Sequence, residues 1–173
     1  MDYELVFMTD AGTNTERVVA IPQSLLVRGG ELRHPELPFA VRVKSYWRNS
    51  GLDFRAPMRE NGPPLTTNGV ALSYDFSEAG LTHKMDEKNV PTAIIELSGS
   101  SASLGTWVAS GWAGDEVMVS AVRRSFERQM GAKMAGSMAA RLAEPQSVKA
   151  GERTYTFALR PLRIYKPYSL TLL

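Results

Sequence analysis

The chain contains few residues whose chemistry and spacing fit a catalytic centre. Its two histidines, His34 and His83, lie far apart and lack the spacing of a metal site. No cysteine is present, which excludes disulfides, thiolate ligands and a cysteine nucleophile. The serines around Gly99 do not form the Gly-x-Ser-x-Gly pattern of a nucleophile elbow, and a hairpin turn accounts for them. We therefore predict no catalytic residue and no metal ligand.

A second group of residues suits the binding of a partner. Near the C-terminus, cations and aromatic rings are mixed at Arg160, Arg163, Tyr165 and Tyr168. Such a surface could receive carboxylates, including haem propionates. Trp107 and Trp112 lie close together among glycines that permit close approach of a ligand, so an aromatic ligand or a haem face is a further hypothesis. Outward-facing strand residues and a packed sheet edge are the competing interpretations.

A four-residue repeat of apolar side chains predicts one long helix over residues 115–143. The repeat consists of Val122, Phe126, Met130, Met134, Met138 and Leu142. Asp115 or Gly114 can cap its start, and Pro145 follows its end. Gly131 and Gly136 predict a bend in the middle. The methionines suggest either core packing, which we favour, or an adaptable surface for a peptide or flat cofactor.

Most of the remaining chain has strand signals. Residues 3–8 and 17–21 predict a hairpin, and 91–97 with 104–109 predict a second one. In residues 39–44 the apolar Phe39, Val41 and Val43 alternate with polar or small residues, which predicts a strand with one solvated face. Residues 49–88 are rich in proline and glycine and predict a long irregular loop, with a strand within 65–76. We predict a mainly β fold, an antiparallel sandwich or open barrel, in a single domain over 1–173.

Composition limits the possible functions. The chain has 173 residues, 43% of them hydrophobic, which is an ordinary globular composition. Its 20 basic and 18 acidic residues nearly balance, so no nucleic-acid partner is expected. No apolar run reaches the ~20 residues of a membrane helix. If the chain is part of a longer protein, a membrane anchor belongs to the other parts.

The last twenty residues, TYTFALRPLRIYKPYSLTLL, predict a strand that has no stop signal. Tyr155, Phe157 and Leu159 alternate with polar or small residues, as in a half-buried strand. No glycine, proline or charge follows Ser169 to end a strand or protect a sheet edge. We therefore expect a fragment truncated at its C-terminus, and residues 168–173 to form a terminal or edge strand that lacks a partner.

Several blocks of this sequence together resemble a known family. They are PQSV at 145–148, TYTFALR at 154–160 and YKPYSLTL at 165–172. Upstream, IP at 21–22 and GG at 29–30 precede LPFAVRVK at 37–44, Tyr46 and Asn49-Ser50. In order and spacing the blocks resemble the extracytoplasmic domain of the ResB-like cytochrome c biogenesis proteins.

The resemblance implies a β-rich domain of a membrane protein on the extracytoplasmic side of a bacterial membrane. Such a protein works with a haem-handling membrane subunit to attach haem to the Cys-x-x-Cys-His motif of apocytochrome c. The domain would be a non-catalytic binding or chaperone module of this cytochrome c synthase. The cysteine proposed to act in some members has no counterpart here, so no haem ligand is carried over to this chain. Relative to shorter members, residues 115–143 look like an insertion.

The sequence also allows two other function classes. A secreted β-sandwich that binds a glycan or small ligand is suggested by Trp107, Trp112 and the segment 49–88. A hydrolase is the weakest hypothesis, because no set of nucleophile, base and oxyanion donor can be assembled from the motifs.

Overall fold

The structure, a computed structural model, describes residues 1–10, 12, 14–55 and 62–164. Its strands are β1 (Tyr3–Asp10), β2 (Glu16–Pro22), β3 (Gly30–Leu32), β4 (Phe39–Trp47), β5 (Ser50–Phe54), β6 (Tyr74–Glu78), β7 (Thr92–Gly99), β8 (Ser103–Ser110), β9 (Gln146–Ala150) and β10 (Arg153–Pro161). Its helices are α1 (Gln23–Arg28), α2 (Glu116–Met130) and α3 (Ala132–Ala143). The predicted mainly β, antiparallel fold class is confirmed, and no closed barrel forms within these ranges.

The strands form two four-stranded sheets and one separate pair. Sheet A has the order β2-β1-β10-β9, and sheet B has the order β3-β4-β7-β8. Strands β5 and β6 pair only with each other. All neighbours are antiparallel, and the two hairpins predicted from the sequence are present as β1-β2 and β7-β8. The alternating segment predicted near the C-terminus forms β10, which pairs with β1 on one side and with β9 on the other.

The two sheets pack face to face around an aromatic core. Phe7 and Phe157 of sheet A are almost completely buried. The ring of Phe39 in sheet B lies 5.3 Å from that of Phe7, edge to face. Trp107 contacts Phe157 in the same way at 5.4 Å. Alternate strand positions point to this interface, as the period of two predicts, so the fold is a sandwich.

A second apolar cluster covers part of the outer face of sheet B. Two insertions build it: residues 48–55 and 62–91 of the connection between β4 and β7, and residues 111–145 between β8 and β9. Val108 of β8 points outward into this cluster and is fully buried there. The rings of Tyr74 and Phe126 stack at 6.4 Å, and the Tyr74 hydroxyl donates to the Met138 carbonyl at 2.6 Å. The insertions therefore form one packed layer on the sandwich.

The predicted helix over 115–143 is divided into α2 and α3 at Gly131. This glycine has φ of 80°, a left-handed conformation that ends α2 and turns the chain into α3. Asp115 caps α2 by accepting from the backbone N–H groups of Val117 and Met118. Because the break changes the direction of the helix, the methionine stripe is not continuous. Met138 is buried, whereas Met134 is 53% exposed.

The segment predicted as a long irregular loop contains β5, β6 and a 3₁₀ turn, Gly69–Leu72. The predicted strand within 65–76 begins only at Tyr74. Before the turn, the chain runs beside β8, where Asn68 N–H donates to the Thr106 carbonyl at 3.1 Å. A Cβ atom on Gly69 would lie 2.2 Å from the Gln146 side-chain oxygen, so this close approach requires glycine. The segment thereby covers the edge of sheet B.

Candidate functional site

A cavity of about 1090 Å³ borders the outer face of sheet A. Much of its lining comes from four parts of the chain. They are β1 with Tyr3, Val6 and Met8; the end of β10 with Arg160 and the following Arg163; the segment 88–91; and the segment 111–115. Glu4, Val6 and Met8 alternate with core residues in β1 and so face this side of the sheet.

Backbone contacts hold these four parts together at one end of sheet A. Gly111 N–H donates to the Pro91 carbonyl at 2.9 Å. A Cβ atom on Gly111 would lie 3.1 Å from the Tyr3 ring and 3.2 Å from the Val90 side chain. Leu162 N–H donates to the Asp2 carbonyl at 2.9 Å. The segments after β8 and β10 are thus fixed against the start of β1.

Asn49 fixes the segment 88–91 from the other side. Its side-chain oxygen accepts from the N–H groups of Ser50 and Val90 at 3.1 and 2.9 Å. Its amide nitrogen donates to the Gly80 carbonyl at 2.6 Å. Asn49 and Ser50 belong to the blocks that carry the family resemblance. Their contacts give Asn49 a role in positioning the chain beside the cavity.

An ion pair lies within the outer face of sheet A beside the cavity. Glu4 and Arg160 are directly opposite each other on β1 and β10. The Arg160 Nε donates to a Glu4 carboxylate oxygen at 2.8 Å, and the side chains are only 17% and 6% exposed. Removing two charges from water is costly unless they are paired. The pair therefore satisfies Glu4 and fixes the Arg160 guanidinium.

Three further cations line the cavity without a carboxylate partner. Within the described parts of the chain, Arg48, Lys88 and Arg163 form no ion pair. Two carboxylates, Glu16 and Asp115, also line the cavity, and Asp115 already caps α2. Positive charge therefore exceeds negative charge, and the unpaired cations can bind an anion.

Burial raises the pKa of two tyrosine side chains near the cavity. Burial, together with the nearby Asp115 carboxylate, raises the pKa of Tyr3 above its ordinary value. Burial, followed by the proximity of Tyr3, raises the pKa of Tyr46 strongly. The Tyr46 hydroxyl donates to the Gln23 side-chain oxygen at 2.8 Å, which also accepts from Tyr3 N–H. Both groups are therefore unsuited to proton transfer near neutral pH.

The structure separates the two tryptophans that the sequence placed in one candidate binding surface. Trp107 is 9% exposed in the sandwich core, where its indole N–H donates to the Leu104 carbonyl at 2.9 Å. Trp112 packs against the second cluster and donates to the Ser50 carbonyl at 3.1 Å. The expectation of one surface built by both indoles is therefore wrong. Adjacency in sequence did not reveal that Trp107 points from β8 into the sandwich core, whereas Trp112 follows that strand and packs with the outer layer.

The other predicted binding residues fall into two groups. Arg160 and Arg163 both line the cavity. Tyr165 and Tyr168, and the expected terminal strand 168–173, lie outside the described residues.

His34 and His83 are exposed, and the described residues contain no group of three His, Cys, Asp or Glu side chains that could hold a metal.

Sequence reasoning missed Glu4, Arg48 and Lys88. Glu4 carried a usable signal, because it is a carboxylate inside the apolar strand YELVFM. A charged residue in a central strand usually has a buried partner. Arg48 and Lys88 had no such signal, because they reach the cavity only through the packing of separate loops.

A buried row of hydroxyl groups joins the second layer to sheet B. The Thr92 hydroxyl lies 2.7 Å from those of both Ser50 and Ser110. Ser50 also donates to the Val90 carbonyl at 2.7 Å. Among the described residues, no imidazole or carboxylate forms a hydrogen bond with this row. Its partners are those of a structural element, and an activated nucleophile would need a base.

No family profile matches the chain, and neither a curated protein nor a solved structure matches it. Among the helices that the structure describes, none is both long enough and apolar enough to cross a membrane.

Proposed function

We propose that this chain is the extracytoplasmic domain of a ResB-like cytochrome c assembly protein and that it binds a segment of apocytochrome c. In this role it works with a haem-handling membrane subunit, which brings haem as the cargo of the reaction. The domain itself is a non-catalytic binding module that presents the Cys-x-x-Cys-His segment. It lies on the extracytoplasmic side of the bacterial membrane and is anchored by other parts of the protein.

The observation that carries this proposal is the arrangement at the end of β10. The blocks that carry the resemblance include TYTFALR at 154–160, which ends at Arg160, and both Arg160 and Arg163 line the cavity. Arg160 is oriented by Glu4, whereas Arg163 has no ion pair among the described residues. A concave surface with a few oriented polar groups is typical of a binding site. One block of the resemblance thus reaches a concave, cationic surface that is suited to bind a partner.

A capture experiment tests the proposal. An apocytochrome peptide that contains Cys-x-x-Cys-His is immobilised, and the full-length protein is compared with a version that lacks residues 1–173. We expect capture by the full-length protein and its loss on deletion. Arg163→Gln should weaken capture, whereas Arg124→Gln, an exposed change on α2 away from the cavity, should leave it unaltered. Equal capture after deletion of this domain would refute the proposal.

A glycan-binding module is not favoured by a specific observation. The hypothesis arose from Trp107 and Trp112 as a shared aromatic surface, and Trp107 is buried in the core. Stacking of a sugar requires an exposed aromatic face, which this residue does not offer.

A further inference from the structure

We propose that the cavity beside sheet A binds a small amphipathic carboxylate. Its head group lies at the end lined by Arg48, Lys88 and Arg163, and its apolar body extends along β1 toward Met8. This ligand is distinct from the peptide considered above. The inference does not depend on the role in cytochrome c assembly, because it concerns the shape and chemistry of the cavity alone.

The charge of the cavity is distributed unevenly along its length. Arg163 follows β10, whose last residue, Pro161, pairs with Tyr3 at the start of β1. Glu16 instead pairs with Asp10 at the opposite end of β1. The cations of the lining therefore lie at one end, together with the Asp115 carboxylate that caps α2, and the Glu16 carboxylate lies at the other end. A ligand with one anionic end has a preferred orientation in such a field.

Arginine side chains make the cationic end suitable for a carboxylate in particular. A guanidinium group can donate two parallel hydrogen bonds to the two oxygens of a carboxylate. Arg160 is already held by Glu4 through Nε, and its terminal nitrogens donate to no other side chain among the described residues. Its orientation is therefore fixed before a ligand arrives, which reduces the entropy lost on binding.

The remaining walls suit a flexible apolar body. Val6, Met8 and Ala158 contribute from the outer face of sheet A, and Leu81 and Met118 contribute from the loops and α2. Methionine side chains are unbranched and polarizable, so they adapt to varied apolar shapes. From Tyr3 to Met8 the strand extends for about 17 Å at the usual rise of a β-strand. The cavity is therefore long enough for a chain-like ligand and is not limited to a compact anion.

Calorimetric titration with dodecanoate and with its uncharged amide, dodecanamide, tests the inference on the full chain. We expect dodecanoate to bind about tenfold or more tightly than the amide, because charge-assisted hydrogen bonds form only with the carboxylate. The affinity for dodecanoate should fall with added salt, since the cations are exposed. Equal affinities for the two probes, or no binding of either, would overturn the proposal.

Two kinds of variant separate the head-group contacts from the apolar walls. The double change Arg48→Gln and Lys88→Gln should weaken dodecanoate about tenfold and leave dodecanamide unchanged. Arg124→Gln is the matched control, because it removes an exposed cation outside the cavity. Met118→Gln should weaken both probes. If the double variant binds dodecanoate as tightly as the original protein, the cations do not form the head-group site and the assignment fails.

Discussion

The two outer faces of the sandwich differ in how the chain uses them. On sheet B, Val108 and Ile94 point outward and are covered by β5, β6, α2 and α3. On sheet A, the corresponding positions include Glu4 and Arg160, and a cavity of about 1090 Å³ lies beside them. One face is therefore closed by apolar packing within the chain, whereas the other combines a buried ion pair with space for a ligand.

The two faces therefore differ in how much they contribute to the free energy of folding. Apolar contacts on sheet B bury surface and contribute free energy of folding directly. A buried ion pair contributes little net stability, because desolvation offsets much of its Coulomb attraction. Its geometric effect is larger, since it fixes the guanidinium of Arg160 beside the cavity. We therefore propose structural roles for the layer on sheet B and binding roles for the face of sheet A.

The largest expected effect comes from removing an aromatic ring from the layer on sheet B. Phe126→Ala should lower the free energy of unfolding by about 3–5 kcal/mol, because a buried ring between Tyr74 and Phe54 is replaced by a void. Urea unfolding followed by circular dichroism measures the change. Met134→Ala in the neighbouring α3 is the control and should change stability by no more than about 0.5 kcal/mol, because its side chain is exposed.

The ion pair of sheet A should respond differently to single and double substitution. Arg160→Met leaves the Glu4 carboxylate buried without its partner and should cost about 3 kcal/mol. Adding Glu4→Leu removes that charge and should restore stability to within about 1 kcal/mol of the original protein. A double-mutant cycle from urea unfolding gives both values. If the costs simply add, the pair is not a coupled buried unit.

A smaller effect is expected from the Tyr74 hydroxyl, which donates to the Met138 carbonyl. Tyr74→Phe should cost about 1 kcal/mol at neutral pH. Burial raises the pKa of Tyr74 to about 12, above its ordinary value of 10.0. The stability supplied by the hydroxyl is therefore fully present below pH 10 and declines as pH rises toward about 12, because the unfolded tyrosine ionises first. The stability difference between the two proteins should shrink over that range, as alkaline urea titrations would reveal.

The smallest effect is expected where sheet B meets solvent. Lys44 and Glu96 form an exposed cross-strand pair at 3.4 Å. Lys44→Gln should change the free energy of unfolding by less than about 0.5 kcal/mol, and salt should reduce even that difference. A large change in thermal stability would mean that this part of sheet B is less solvated than its exposure indicates.

The sandwich was largely predictable from local patterns. Phe39, Val41 and Val43, and likewise Tyr155, Phe157 and Leu159, are buried as their period of two predicts. The division of the helix at Gly131 was signalled only as a bend, because local propensity does not determine whether a glycine bends a helix or ends it. The strand pair β5-β6 was obscured by the proline- and glycine-rich sequence around it, since its stability comes from packing on α2 and α3.

The cavity could not be predicted as a unit. Arg160 and Arg163 were identified as binding candidates, but Arg48 and Lys88 meet them only in three dimensions, through contacts such as those of Gly111 with Tyr3 and Val90. The hypothesis of one surface built by Trp107 and Trp112 was wrong for the opposite reason, because residues that are close in sequence lie apart in the fold. Residues five positions apart can be separated by the thickness of a sheet.

Hydrogen exchange with and without the apocytochrome peptide tests the separation of roles most directly. The full-length protein is labelled in both states, and amide exchange is compared between the two outer faces. We expect slower exchange in the first residues of β1 and in the segments 88–91 and 111–115, with β5, β6 and α3 unchanged. Protection confined to the layer on sheet B, with the cavity segments unaffected by bound peptide, would contradict this separation of roles.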